Sequence, residues 1–169
     1  MVMKSSSVAI EAVIRRMSYI VGLILTSHIR DFNVNDIEDV VVLMRELGYP
    51  TSVEVMLNRM QILESLPDYH TFIADLDGRA IGLVGVCKRV LYESDDTPIQ
   101  IVALVTHSQY RGMGIGKSLV QTAERWALEA GAPKIFLTSG MRPERSDAHE
   151  FYKNLGYDIT GYRFVKKLS

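Results

Sequence analysis

Between Ile101 and Gly131 the chain reads IVALVTHSQYRGMGIGKSLVQTAERWALEAG: an apolar run, a polar turn, glycine at alternate positions, and a long amphipathic segment closed by glycine. That order leaves few folds open. Ile101 to Val105 is apolar without alternation, the pattern of a strand covered on both faces. Leu119, Val120, Ala123, Trp126, Ala127 and Ala130 recur at helical spacing, and Gly131 and Pro133 end that helix. Between strand and helix, Gly112, Gly114 and Gly116 permit a sharp turn and leave the backbone N–H groups uncovered by side chains. A helix that starts there aims its unpaired amides and its positive dipole end at one spot, which makes an anion site, most economically one for phosphate.

The rest of the chain supplies elements to hold that loop. Ser27 to Phe32 reads as a first strand. Asn33 or Asn35 caps a helix from about Asp36, whose apolar face is Ile37, Val40, Val41, Met44 and Leu47. Thr51-Ser52-Val53-Glu54 has capping-box form, and the helix behind it ends before Pro67. Thr71 to Ala74 is strand-like, Asp77-Gly78 signals a hairpin, and Arg79 to Tyr92 reads as a long strand. Gly82 and Gly85 within it mark a bulge or a close backbone approach. After the central strand Ile99 to Thr106 and the loop helix come a short strand, Lys134 to Thr138, and a helix capped by Ser146 or Asp147. Strands at Tyr157 to Ile159 and Tyr162 to Val165 close the chain. The pattern predicts one mixed α/β (α+β) domain over residues 28–169, preceded by an extension, 1–27, that packs on the domain or on a second copy.

Composition narrows the partners. At 169 residues, 47% hydrophobic and 23% charged, the chain suits one soluble domain with a real core. A net charge of −1 gives no electrostatic reason to expect nucleic acid or an anionic membrane. Cys87 is the single cysteine, which excludes an internal disulfide and a cysteine-built metal site and fits a cytoplasmic protein. The apolar stretch Tyr19 to Leu25 is too short to span a bilayer, and Glu11, Arg15 and Arg16 spoil it as a signal peptide.

Spacing separates the phosphate loops. Gly116-Lys117-Ser118 ends like a nucleoside-triphosphate loop, but that motif needs glycine where Arg111 stands. A dinucleotide fingerprint counted from Gly112 or Gly114 meets Lys117 or Leu119 in place of its third glycine. What fits is Arg111-Gly112-Met113-Gly114-Ile115-Gly116, an R-x-x-G-x-G pattern, followed by Ala127 to Gly131 and later by Ala148-His149-Glu150-Phe151-Tyr152-Lys153-Asn154-Leu155-Gly156-Tyr157. Together these resemble the acetyl-CoA loop and the A-x-x-F-Y-x-x-x-G-[FY] ending of the GNAT N-acetyltransferases, over roughly the last five-sixths of the chain.

The resemblance implies a mixed, mostly antiparallel central sheet, splayed at the acetyl-CoA site and flanked by helices on both faces. It implies transfer of an acetyl group from acetyl-CoA to a primary amine of a small molecule or a protein, by direct attack in a ternary complex and without a metal. The backbone from Arg111 through Gly112, Met113, Gly114, Ile115, Gly116 and Lys117, with Ser118, would hold the pyrophosphate. The free edge of Leu104, Val105 and Thr106 would pair with the pantetheine arm. Tyr152 matches the family's motif tyrosine and is the expected general acid. Many relatives place a glutamate base where this chain has Val102, so the base is unassigned, with His107 and His149 as candidates. Asp36, Glu38, Asp39 and Glu54, on the first two helices, would favour a cationic acceptor. Family habit and the apolar extension point to a homodimer. The missing glutamate also motivates another reading, an acyl-CoA-binding sensor or inactive partner subunit.

Overall fold

The hairpin dipeptide sets the geometry of the sheet. Asp77 and Gly78 both take positive φ, 51° and 82°, the twist that a tight two-residue turn between antiparallel strands requires. The computed structural model describes residues 3–141 and 145–168, without side chains at 3–8 and 23–26. In it β2 (Tyr69–Leu76) and β3 (Arg79–Lys88) flank that turn. They belong to a five-stranded sheet in which β1 (His28–Asp31), β2, β3, β4 (Ile99–Thr106) and β5 (Ile135–Leu137) lie side by side in chain order. Neighbours are antiparallel except β4 and β5, which are parallel.

Alternation across the strands fills two cores. Ile73, Leu83 and Val105 face α2 (Ile37–Leu47) and α3 (Val53–Ser65), packing on Val40, Leu43, Met56 and Met60. Phe72, Val84, Val86 and Ile101 face the opposite way, onto Leu119, Val120, Ala123 and Ala127 of α4 (Ile115–Glu129). Phe151, Tyr152 and Leu155 of α5 (Ser146–Asn154) close that second core. Helices therefore cover both faces, as expected. Gly82 is where α4 comes closest to the sheet: a Cβ there would meet Leu119 Cδ1 at 3.0 Å.

Caps follow local chemistry. Asn33 caps a 3₁₀ turn, Val34–Asp36, in a full capping box, so the helix proper starts one residue later than expected. Ser52 Oγ accepts from the Val55 amide at 3.3 Å and starts α3. Ahead of the domain, α1 (Met3–Thr26) exposes Ile10, Val13, Ile14, Met17 and Val21.

Three expectations are corrected. The strand expected to reach Tyr92 ends at Lys88, because the Arg89 amide turns to the Pro98 carbonyl, 2.9 Å away, and Val90 and Tyr92 swing into solvent. The closing strands at Tyr157–Ile159 and Tyr162–Val165 do not form. Gly156, at φ 89°, turns the Tyr157 amide back onto the Tyr152 carbonyl, and Tyr162, Phe164 and Val165 lie exposed. Finally, β4 is not covered on both faces throughout. Gly85 pairs with Ala103 and Val86 with Ile101, leaving Val102 as an extra, bulged residue that is 46% exposed.

Candidate active site

The loop closes on itself only in part. His107 Nδ1 accepts from the Gln109 amide at 3.3 Å and starts a short 3₁₀ turn, Ser108–Tyr110. The Arg111 amide is spent on the Ser108 carbonyl. From Gly112 to Lys117, among the described residues, the backbone amides have no protein acceptor. Gly112 and Gly114 take φ of 73° and 86°, conformations that L side chains resist. Gly114 is the N-cap of α4 and offers no side-chain acceptor. The Ser118 hydroxyl bonds back to the Gly114 carbonyl at 3.3 Å, so it tightens the first turn.

Gly116 faces both the end of β4 and α5. A Cβ there would lie 3.5 Å from both Thr106 Oγ1 and Phe151 Cζ, in the space between α4, α5 and the end of β4. That space continues as a cleft along the sheet. β4 and β5 pair only from Ile99 to Ile101, against Ile135 to Leu137, and beyond Ile101 the β5 side of β4 has no strand partner among the described residues. Leu104, Val105 and Thr106 stand on that open edge, and the buried Val105 side chain anchors it in the core beneath α2. The Arg111 guanidinium holds the far end of the edge: Nε donates to the Thr106 carbonyl at 3.2 Å, and Nη2 meets Glu46 Oε2 at 3.0 Å. The Ser108 hydroxyl also donates to Glu46, and these contacts hold its carboxyl below the usual glutamate value. The Lys117 side chain is exposed beside the free amides.

Tyr152 sits half-buried against this cleft, in edge contact with Phe151 and Tyr157 at centroid distances of 5.2 and 5.8 Å. Its hydroxyl has no hydrogen-bond partner among the described residues, yet no buried side-chain polar atom there is left unsatisfied, so the oxygen still reaches solvent. Burial pushes the phenol above its usual pKa, against a smaller opposing effect of Arg145. His149 lies on the same helix but bonds through Nε2 to the Gly140 carbonyl and the Ser139 hydroxyl, at 3.0 and 3.2 Å. Both histidines thus fasten loops.

A cavity of about 210 Å³ opens on the α2–α3 face of β4. Met44, Met56, Met60, Leu63, Leu83 and the bulged Val102 wall it, with Gly85 at its floor and Arg59, Tyr69 and Thr71 also lining it. Sequence patterning missed this cavity, because it depends on the bulge. The acidic residues expected to attract a cation lie elsewhere. Asp36 is buried against Arg30, Asp39 is paired with Arg79, and neither Glu38 nor Glu54 lines the cavity. Among the described residues, no group of acidic, histidine or cysteine side chains could hold a metal ion.

Known proteins share this architecture. Residues 37–157 match the model of the acetyltransferase (GNAT) family. The chain is 32% identical over 125 residues to an uncharacterised N-acetyltransferase of Bacillus subtilis, covering 73% of this chain and 86% of that one. It is 31% identical over 102 residues to the aminoalkylphosphonate N-acetyltransferase of Salmonella typhimurium, covering 60% and 65% respectively. A GNAT family acetyltransferase of Staphylococcus aureus superposes with a TM-score of 0.73 at 29% identity, over 85% of this chain and 99% of the other. An aminoglycoside N-acetyltransferase in complex with CoA gives the same TM-score of 0.73 at 19% identity, over 84% and 94%, and so shares the fold. An open strand edge running into free amides at a helix start, together with these matches, places the chain in the GNAT family as an N-acetyltransferase.

Proposed function

We propose that this protein transfers the acetyl group of acetyl-CoA to a primary amine of a small molecule or a protein, by direct attack in a ternary complex. The observation that carries the reading is the unpartnered run of amides from Gly112 to Lys117, at the end of an unpaired β4 edge. The residues fit the cosubstrate. Those amides would take the pyrophosphate through charge-assisted hydrogen bonds, Lys117 would add a cation, and the backbone from Leu104 to Thr106 would pair with the pantetheine arm. When bound, acetyl-CoA supplies a thioester carbonyl activated for acyl transfer.

Tyr152 is assigned as the general acid. Burial keeps its hydroxyl protonated at neutral pH, and without a protein acceptor the proton is free to be given up to a leaving sulfur. In the transfer a C–N bond forms and a C–S bond breaks; the amine sheds one proton and the sulfur gains one. His107 and His149 remain the side-chain candidates for base, but each already uses a ring nitrogen to hold a loop. Water at the mouth of the cleft is the simpler acceptor of the amine's proton. A small-molecule acceptor is supported by the aminoalkylphosphonate acetyltransferase relative. We further assign the bare stripe of α1 to contact with a second copy of the chain, in a cytoplasmic homodimer.

The test is Tyr152→Phe, assayed for CoA release against a panel of amines and for CoA affinity by calorimetry. CoA affinity should hold within about twofold, while turnover falls by about 10²–10³, the range expected for loss of a positioned acid. Full turnover by the variant removes Tyr152 from the chemistry. Tight acetyl-CoA binding with no acetylated amine in the panel would instead revive a binding or sensor role.

A further inference from the structure

We infer that the cavity beside Val102 takes a small amine with an apolar body and one anionic group, and that Arg59 holds the anion. This rests on the acetyltransferase reading above and specifies its acceptor class. Met44, Met56 and Met60 give the walls thioethers, which adapt to irregular apolar shapes, and Leu63, Leu83 and Val102 add aliphatic surface. Among the described residues, no carboxylate lines the cavity. Of the acidic groups on the facing elements, Asp36 is engaged by Arg30, Asp39 by Arg79, and Glu46 by Arg111 and Ser108, while Glu38, Glu54 and Glu64 lie outside the cavity lining. A polycation entering here would lose hydration and find no opposite charge. His70 also borders the cavity, but its ring stacks on Trp126 towards α4, lies tilted against Phe72, and bonds to Asp31 at 2.9 Å.

Among the described residues, Arg59 is the one lining side chain of fixed charge and no carboxylate pairs with it. A guanidinium free of partners at an apolar opening presents its planar fork to a carboxylate or phosphonate. The same apolar walls disfavour a protonated amine over the neutral form that attacks. Size agrees with a small acceptor, since about 210 Å³ falls below the roughly 300–1,000 Å³ of drug-sized sites.

The experiment pairs each acid with its decarboxylated counterpart on the full chain: phenylalanine with phenethylamine, and 4-(aminomethyl)benzoate with benzylamine, with spermidine as the polycation. Specificity constants with acetyl-CoA and calorimetric binding with CoA present are both read. In at least one pair the acid should exceed the neutral amine by about tenfold or more in kcat/KM and in affinity, with spermidine below both. Arg59→Gln should bring that ratio to within about twofold of unity, mainly through KM for the acid, and Arg59→Lys should restore part of it. A preference for spermidine, acids no better than their neutral partners, or a ratio untouched by Arg59→Gln overturns the assignment. The two readings can fail separately. CoA binding with no acetylated amine sinks the enzymatic reading, while the binding ratio still decides the role of Arg59.

Discussion

At the scale of single residues, the proposed chemistry would rest on one side chain that keeps its proton and another that has none to exchange. Tyr152 stays protonated because burial penalises the phenolate, and Val102 puts an aliphatic group on the bulge. With water as the base, the acid limb of kcat/KM should follow the acceptor's own ammonium. Replacing benzylamine by a ring-substituted analogue about one pKa unit more acidic should move that limb down by about one unit, as a pH series on the two acceptors reads directly. A limb fixed near the histidine range for both amines would return His107 or His149 to the base role. Because the Tyr152 pKa is raised, no falling limb from this residue should appear below about pH 10.

Among elements, one charged tie joins β1, the start of α2 and the end of β2. Arg30, 28% exposed, spans Asp36 and Asp75, which are 4% and 5% exposed, at N–O distances of 2.7 and 2.6 Å. Asp36 also accepts the Asn33 amide and Asp75 the Gly78 amide, so one cluster fixes a helix entry and a hairpin. Removing the cation leaves two carboxylates in the interior. Arg30→Met should therefore cost about 3 kcal/mol, measured by urea unfolding at neutral pH. Burial alone would raise the Asp75 pKa, but the Gly78 amide and Arg30 outweigh it, and the folded value lies below the unfolded one. The stabilisation is then complete above the ordinary aspartate pKa and is lost as pH falls through the lower folded value. The variant should lose less of its remaining stability on acidification than the parent does. Local signals announced much of this architecture: Ser52 before its helix, Asp77-Gly78 between strands, and the alternating glycines each act within a few residues. Arg30 gave no such signal, since its partners stand 6 and 45 positions away.

For the whole molecule, legibility followed the same division. The loop from Arg111 to Gly116 could be read because φ and spacing are local properties, and the fold followed from it. The cavity could not, because the Val102 bulge is a matter of register between β3 and β4, which no single strand records. Alternation at Tyr162 and Phe164 says that a segment can be a strand, but not that a ladder is free to receive it. Overlap between α1 and the domain is slight, since the major packing interfaces join the other elements. Deleting residues 1–26 should leave the thermal midpoint nearly unchanged and, if its Ile10–Ile14–Met17–Val21 stripe meets a second copy, convert a dimer to a monomer by light scattering. A truncated chain that stays dimeric would place the contact on the domain itself. The divergence of β4 from β5 has one more consequence. If the missing neighbour of this sheet is the cosubstrate proposed above, the sheet would be finished only while that metabolite is abundant. At a hundredfold excess over its dissociation constant, the bound coenzyme would add about 2.7 kcal/mol to folding. The number of enzyme molecules that escape proteolysis in a starved cell would then report on its acetyl-CoA supply.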